Sequence, residues 1–236
     1  METLVVMPTY NSKETVEEAI QSVMSQTYKK FNLVCCDDNS TDETLSTLVR
    51  IKKKYNFKIL KNKKNLGTGL TVNSVINTEL YFKNYNFITW VSSDNILNKD
   101  FLKKHTDNVR DGHAISYSGW SSFDSEGKYT VHVPQENLIS LRESYLLGPS
   151  FLFTRKLYET AGPFHRLPGE DFLFAVSCAL NDAKFGFIKD SLVDYRIHDN
   201  SVGGRIRSGK ITDLATNIAL EKSQFINKSN GNKFYI

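Results

Sequence analysis

Apolar residues in the first half of the chain are concentrated in short runs, and two of the segments between these runs show helical spacing. The runs over residues 4–7, 31–36, 57–60 and 87–91 predict buried strands. Ser12 can cap a helix with apolar residues at positions 16, 20, 23 and 24, and a second helix is predicted to begin at Thr41 or Asp42. This alternation predicts an α/β fold with a parallel sheet and right-handed crossovers.

The second half of the chain has a less regular pattern. Strands are predicted over residues 114–118, 129–133, 149–154, 185–188 and 193–197, with a turn over residues 124–127. Helices are predicted over residues 172–181 and 211–225, with Gly203 and Gly204 loosening the chain between them. At 236 residues the chain fits one domain, in which residues 1–95 and 96–236 form two joined halves.

Basic and acidic residues nearly balance, but they are unevenly placed. The 30 lysines and arginines against 26 acids give a formal net charge of +4. This charge is too mild for an obligate nucleic-acid-binding protein and is compatible with a phosphate-bearing ligand. Residues 45–78 carry eight basic residues and no acid, and we interpret most of these lysines as parts of solvated faces.

Cysteine usage and the first residues bear on the expected location. Three cysteines, with Cys35 and Cys36 adjacent, argue against a disulfide framework and against a metal knuckle. The chain enters its first strand without a basic leader or a long apolar stretch, so neither a signal peptide nor a membrane span is expected. These features predict a cytoplasmic protein, either soluble or peripheral at a membrane.

Acidic residues follow two of the predicted strands. Asp37 and Asp38 stand at the end of the second strand, and Asp94 follows the fourth. Because ligands of open α/β sheets bind at the carboxyl ends of the strands, these acids predict a nucleotide site. Asp42 is placed to serve the start of a helix, but two adjacent acids at a buried strand end exceed what an Asx turn or a cap needs.

Several motifs in order resemble those of the family 2 glycosyltransferases of the GT-A fold. They are Met7-Pro8-Thr9-Tyr10-Asn11, Gln26-Thr27-Tyr28 and Asp37-Asp38-Asn39-Ser40-Thr41-Asp42-Glu43-Thr44. Residues 88–96 are most similar to the spore-coat polysaccharide type, which has two acids where Ser93 and Asp94 stand here. The resemblance is strong over residues 3–105, and Glu170-Asp171 and Tyr195-Arg196-Ile197-His198 match afterwards in order and spacing. It implies a Rossmann-like, mostly parallel nucleotide-binding sheet flanked by helices, with a smaller, mixed acceptor-side half.

The resemblance also implies inverting transfer of a hexose or pentose from a nucleoside diphosphate sugar to a hydroxyl group. The Tyr10 ring can stack on a base, which contributes about 1–3 kcal/mol, or it can pack at the helix entry. Asp38 can accept the N3–H of uracil, which favours a UDP-sugar and leaves dTDP- and GDP-sugars open. The substrate-binding residues implied are Pro8, Thr9, Tyr10, Asp38, Asn65, Gly67, Asn73, Ser93, Asp94, Asn95 and Glu170.

Asp94 is the central residue of the expected chemistry. A diphosphate leaving group gains negative charge as the glycosidic bond breaks, and a divalent cation, Mn²⁺ or Mg²⁺, neutralises that charge without proton transfer. With Ser93 in place of an acid, a single carboxylate anchors the ion, which Mg²⁺ sites tolerate. His198 resembles a late metal-contacting histidine of the family and favours Mn²⁺, with a purely structural role as the alternative.

Asp171 is the candidate general base. Transfer to a sugar hydroxyl requires a carboxylate that removes the proton as the oxygen attacks the anomeric carbon. The resemblance gives Glu170 a supporting, hydrogen-bonding role. The alternative for both acids is charge that complements the dipole at a helix N-terminus.

The sequence leaves more than one acceptor and more than one reaction class open. A glycan or polysaccharide acceptor is favoured, while a protein, a lipid-linked saccharide or a hydroxylated DNA base stays open. A nucleotidyltransferase is disfavoured, because Pro8-Thr9-Tyr10-Asn11 stands where a Gly-rich phosphate loop would follow the first strand. A catalytically silent nucleotide-sugar-binding module is the main alternative, since Ser93 departs from the acidic pair. The sequence indicates no oligomeric state.

Overall fold

The computed structural model describes residues 2–134, 147–199, 201–210 and 214–223. Its strands are β1 (Thr3–Thr9), β2 (Phe31–Asp37), β3 (Lys58–Lys61), β4 (Phe87–Trp90), β5 (Ile96–Leu97), β6 (Ile115–Phe123), β7 (Tyr129–His132), β8 (Leu152–Thr154) and β9 (Phe185–Arg196). Its helices are α1 (Val16–Met24), α2 (Thr44–Lys52), α3 (Thr68–Phe82), α4 (Phe101–Arg110), α5 (Arg155–Ala161), α6 (Glu170–Leu180), α7 (Val202–Arg207) and α8 (Leu214–Ser223).

The nine strands of these ranges form one sheet in the order β3-β2-β1-β4-β8-β6-β9-β5, with β7 paired to β6. Strands β1 to β4 run parallel. Strand β8 is antiparallel to both β4 and β6, so it joins the parallel half to a mixed half in which β6 and β9 are parallel. The predicted parallel half and mixed second half are therefore confirmed, and they share one continuous sheet.

The core lies on both faces of the sheet, because side chains along a strand alternate between the faces. In β1, Leu4 and Val6 pack with residues of α3, α5 and α6, whereas Val5 and Met7 pack with residues of α1, α2 and α4. All four side chains are fully buried. Burial on both faces explains why residues 4–7 of β1 read as an uninterrupted apolar run.

Several elements differ from those predicted. Helix α2 begins at Thr44, because Asp42 Oδ1 accepts hydrogen bonds from Thr44 N and Thr44 Oγ1 at 2.9 and 2.5 Å, which confirms that Asp42 serves the helix start. The two strands predicted over residues 185–188 and 193–197 are one strand, β9, whose pairing with β6 shifts register around Gly119. Of the predicted final helix, residues 214–223 are confirmed, and residues 211–213 and 224–225 lie outside the described ranges.

The prediction that Gly203 and Gly204 loosen the chain is wrong. Both residues lie within α7, whose first turn is capped by Ser201, since Ser201 Oγ accepts a hydrogen bond from Gly204 N at 3.0 Å. A β-carbon at Gly204 would come within 2.2 Å of His198 O, so this glycine allows α7 to pack closely on the end of the preceding segment.

The described helices include none that is long and apolar enough to cross a membrane. Cys35, Cys36 and Cys178 are all buried, and none forms a disulfide. Burial raises the pKa of the Cys36 thiol to about 12, with Asp38 and Asp37 adding to the effect. These cysteines therefore behave as small core residues rather than as reactive thiolates.

Candidate active site

The carboxyl ends of the parallel strands meet at one edge of the sheet. Thr9 of β1, Asp37 of β2 and Lys61 of β3 lie in register there. Tyr10 follows directly, and 47% of its surface is exposed. A ring that stands so far out of the core is available to stack on a ligand, which favours the stacking role over packing at the helix entry.

The loops that follow β1 and β2 are tied together by hydrogen bonds. Pro8 and Thr9 are the last residues of β1, and Thr9 O accepts a hydrogen bond from Asp38 N at 2.8 Å. Asn11 has a positive φ of 48°, and its Oδ1 accepts a hydrogen bond from Thr41 N at 2.8 Å. The predicted ligand-facing segments are thus held against each other by their own polar groups.

Asp38 is buried, and its carboxylate organises the loop after β3. Oδ1 accepts hydrogen bonds from Asn62 Nδ2 at 2.7 Å and Leu66 N at 2.9 Å. Oδ2 accepts one from Gly67 N at 2.9 Å, and the main-chain oxygen accepts one from Asn65 Nδ2 at 3.2 Å. Both carboxylate oxygens are therefore engaged within the protein, a role in shaping the loop that the sequence did not indicate.

Two positions at the start of α3 require glycine for different reasons, one for its backbone conformation and one for a close contact. Gly67 has a φ of 83°, in the left-handed region that glycine adopts most readily. A β-carbon at Gly69 would lie 2.0 Å from His165 O and 3.3 Å from Glu170 Cγ. The loop after β3 therefore leads into direct contact with the segment that precedes α6.

Asn73 is also turned toward that segment. It is buried, its Nδ2 donates to Phe164 O at 2.7 Å, and its Oδ1 accepts from Phe164 N at 3.0 Å. Tyr158 Oη donates to the same Asn73 oxygen at 3.0 Å. The structure thus uses Asn73 within the protein, and its contact with a substrate stays a prediction.

The main chain around Asp94 is fixed from both sides. Thr15 Oγ1 donates to Ser93 O at 2.9 Å. Asn95 is buried, and its Oδ1 accepts a hydrogen bond from Arg196 N at 3.3 Å. Arg196 Nε donates to Asp94 O at 3.2 Å, so the end of β9 supports the loop after β4.

The side chains of Asp94 and His198 form a pair at this edge. His198 Nε2 lies 3.0 Å from Asp94 Oδ2, and the two side chains are 34% and 20% exposed. Asp94 Oδ1 is buried and has no hydrogen-bond partner among the described residues. Leaving a buried acceptor unpaired costs about 1–3 kcal/mol, and more for a charged group, so a cation or a donor at Oδ1 would be strongly stabilised.

These donors fit a divalent cation that a ligand helps to coordinate. Within the part of the chain that the structure describes, no group of three or more His, Cys, Asp or Glu side chains is arranged to hold a metal ion. One carboxylate and one imidazole suffice for Mn²⁺ when phosphate oxygens and water complete the coordination. The unpartnered Asp94 Oδ1 is the donor atom that such a site needs.

Glu170 and Asp171 are the first two residues of α6. Glu170 is buried close to Gly69, whereas Asp171 is half-buried and its Oδ1 accepts a hydrogen bond from Phe172 N at 2.8 Å. Two acids in the first turn complement the positive end of the helix dipole. Asp171 also keeps the partial exposure that a base needs to meet an acceptor hydroxyl.

Asn62, Thr15 and Arg196 are supports to which the sequence analysis gave no role. Arg196 also pairs with Glu18, and its Cζ lies 4.6 Å from the ring centre of Phe123. The motif that ends in His198 was a signal for Arg196. Single polar residues such as Asn62 and Thr15 carry no such signal, because their partners are distant in the sequence.

Comparisons with known proteins agree on one family. The chain matches the family model described as "Glycosyl transferase family 2" over residues 4–180. It is 26% identical over 201 residues to the poly(ribitol-phosphate) beta-N-acetylglucosaminyltransferase TarS of Staphylococcus aureus, covering 81% of this chain and 35% of that protein. The chain thus spans about a third of the length of this curated relative.

Two solved structures show the same fold in proteins of low sequence identity. The structure of Staphylococcus aureus TarS 1-349 in complex with UDP-GlcNAc has a TM-score of 0.70 at 21% identity, and covers 97% of this chain and 73% of that one. The mannosyltransferase PcManGT from Pyrobaculum calidifontis, in complex with GDP-Man and Mn²⁺, has a TM-score of 0.69 at 17% identity and covers 94% and 73%. The residues that match the family model include the loops after β1, β2 and β4 and the start of α6. This chain belongs to glycosyl transferase family 2 and has the α/β GT-A fold.

Proposed function

We propose that this chain transfers a hexosyl or pentosyl group from a nucleoside diphosphate sugar to a hydroxyl group, with inversion at the anomeric carbon. The observation that carries the proposal is the Asp94–His198 pair, whose buried Asp94 Oδ1 has no partner among the described residues. This pair lies at the carboxyl edge of the parallel strands, where the exposed Tyr10 ring can meet a base.

A UDP-sugar is the preferred donor, bound by the half of the chain formed by residues 1–95. The complex of TarS with UDP-GlcNAc supports this choice, and the complex of PcManGT with GDP-Man keeps GDP-sugars as an alternative beside dTDP-sugars. Tyr10 would stack on the base, and Asp38 would hold the loop formed by residues 62–67 in the shape that receives the nucleotide. A uracil N3–H would share the Asp38 carboxylate with the N–H groups of Leu66 and Gly67.

Asp94 and His198 would hold a divalent cation against the two phosphates. Such an ion, when bound, neutralises the charge that the diphosphate gains as its bond to the sugar breaks. The imidazole of His198 favours Mn²⁺, and the Mn²⁺ in the PcManGT complex supports this choice over Mg²⁺. Arg196 and Asn95 would keep the Asp94 main chain in place during the reaction.

Asp171 would accept the proton of the acceptor hydroxyl. As that oxygen forms a bond to the anomeric carbon, the bond from this carbon to the diphosphate oxygen breaks, and its electron pair leaves with the diphosphate. Attack on the face opposite the leaving group inverts the configuration. Glu170 would support this geometry from its buried position beside Gly69.

A polysaccharide hydroxyl is the favoured acceptor, bound by residues 96–236. The support is that TarS is named as a transferase that acts on poly(ribitol-phosphate). Protein, lipid-linked saccharide and hydroxylated DNA base remain acceptors to be compared in the same assay.

The alternative is a nucleotide-sugar-binding module without catalysis, which is favoured by Ser93 standing where the spore-coat type has an acid. The test measures thermal unfolding with a panel of UDP-, dTDP- and GDP-sugars, with and without Mn²⁺, followed by release of the nucleoside diphosphate. We expect a UDP-sugar with Mn²⁺ to raise the melting temperature of the protein. We also expect the protein to release UDP slowly from that donor. A raised melting temperature without release of a nucleoside diphosphate would indicate the silent binding module. If none of the sugar nucleotides raises the melting temperature, both proposed functions are contradicted.

A further inference from the structure

Asn73 of α3 holds the main chain of Phe164, which is 91 residues away. Its amide both donates to Phe164 O at 2.7 Å and accepts from Phe164 N at 3.0 Å. Asn73 is 8% exposed, so both hydrogen bonds lie in a low-dielectric environment where an unmade bond is costly. This bidentate contact sets the position of Phe164 relative to α3.

The ring of Phe164 anchors the same residue from the other side. It stacks on Phe174 of α6 with 4.4 Å between ring centres, and it meets Trp90 edge-on at 6.4 Å. Trp90 is the last residue of β4 and precedes the loop that carries Asp94. Phe164 therefore connects α3, α6 and the end of β4.

Gly69 makes a second contact between α3 and this segment. A β-carbon at Gly69 would lie 2.0 Å from His165 O, which is much closer than any real contact. Glycine has a lower helix propensity than alanine, so Gly69 destabilises α3 slightly while it permits the close approach to His165 O. The two contacts at Phe164 and His165 fix the segment that leads into Glu170 and Asp171.

We propose that Asn73 and Gly69 are positioning residues that set where Asp171 stands relative to the bound donor. The proposal rests on the function proposed above, with Asp171 as the base. Its physical path begins at Asp38, which holds the N–H groups of Leu66 and Gly67, and continues along α3 to the segment before α6. Because a catalytic group misplaced by about 1 Å can cost about 100-fold in rate, this path can control turnover without touching the substrate.

The test compares Gly69→Ala, Asn73→Ala and Tyr158→Phe with the parent chain. Gly69→Ala must push His165 away, and Asn73→Ala releases Phe164. Tyr158→Phe removes only the third hydrogen bond to Asn73 Oδ1, so it is the matched control. We expect the kcat of transfer to fall about tenfold or more in the first two variants. The donor KM and the UDP Kd should stay within about threefold of the parent values, and Tyr158→Phe should keep the parent kcat.

Hydrogen exchange at the main-chain amides of residues 164–167 and 169–171 gives a readout that does not depend on activity. We expect faster exchange at Phe164 in Asn73→Ala and in Gly69→Ala, but not in Tyr158→Phe. Gly69→Ala removes no hydrogen bond, so it decides the question if Asn73→Ala does not fold.

Two kinds of result overturn the proposal, and they are distinguishable. If the parent chain releases UDP while both Gly69→Ala and Asn73→Ala keep kcat within about twofold, the positioning role is wrong and the proposed function stands. An equal loss of kcat in Tyr158→Phe without faster exchange at Phe164 also overturns the positioning role, because turnover would then not follow the contact between Asn73 and Phe164. If the parent chain releases no nucleotide from any donor, the proposed function fails and this inference fails with it.

Discussion

His198 Nε2 and Asp94 Oδ2 lie 3.0 Å apart, although 104 residues separate them in the sequence. Arg196 strengthens the same junction, since its Nε donates to Asp94 O at 3.2 Å. The end of β9 is therefore structurally part of the loop after β4. A cation bound at Asp94 would depend on residues from both halves of the chain.

The first prediction concerns this pair. We expect Asp94→Asn to weaken Mn²⁺ binding in the presence of UDP by roughly tenfold or more, because it removes the charge of the anchoring carboxylate. His198→Ala should weaken binding less, since the carboxylate remains. Titration calorimetry of Mn²⁺ into the UDP complex measures both effects. His113→Ala, at a half-buried histidine bonded to Asn108 O, is the control, and parental Mn²⁺-dependent turnover in Asp94→Asn would contradict the metal role.

The second prediction concerns Asp38. In Asp38→Asn, an NH₂ group replaces an oxygen that accepts from Leu66 N or Gly67 N, so a buried donor loses its partner. We expect the free energy of unfolding in urea to fall by about 1–3 kcal/mol, together with a loss of UDP affinity. The exposed Asp111 provides the control, because Asp111→Asn should change stability by less than about 0.5 kcal/mol. Unchanged stability of Asp38→Asn would show that the loop does not depend on the carboxylate.

The third prediction separates binding from chemistry. Asp171→Asn keeps the size and the Oδ1 acceptor of the side chain but cannot take up a proton from the acceptor. We expect donor affinity close to that of the parent chain and a transfer rate lower by about 100-fold or more. Glu170 directly precedes Asp171 and is assigned no proton transfer, so Glu170→Gln should lower the transfer rate by a smaller factor. Equal rates in Asp171→Asn and the parent would place the base elsewhere.

Sequence patterns predicted the parallel half of the fold because most residues of β1, β2 and β4 are buried on both faces of the sheet. The patterns failed where local features were weak. Helix α4 places His105 and Thr106 at buried positions, so the apolar spacing is interrupted. Strand β5 has only two residues, and β9 is exposed at Lys189 and Asp190, where the apolar pattern breaks into two apparent strands.

The candidate site divides in the same way. Asp38, Asp94 and Asp171 stand at strand or helix ends within recognisable motifs, so the sequence pointed to them. The contacts that hold the site, such as Asn73 with Phe164, join residues far apart in the chain. Spacing along a sequence does not reveal such pairs, and only the packing of α3 against the segment before α6 showed them.

The last prediction concerns the pH dependence of stability. Burial lowers the pKa of His105 to about 3, because a charged imidazolium would be desolvated in the core, where Nδ1 lies 2.8 Å from Ser116 Oγ. An unfolded histidine titrates near 6.5, so between these values the unfolded chain binds a proton that the folded chain does not. The contribution of neutral His105 to the free energy of unfolding is therefore fully present above pH 6.5. It is lost as the pH drops below 6.5, by up to about 1.4 kcal/mol per pH unit. Urea unfolding between pH 7 and 5 measures the slope, which should flatten in His105→Gln and persist in His113→Gln; equal slopes in His105→Gln and the parent would contradict the assignment.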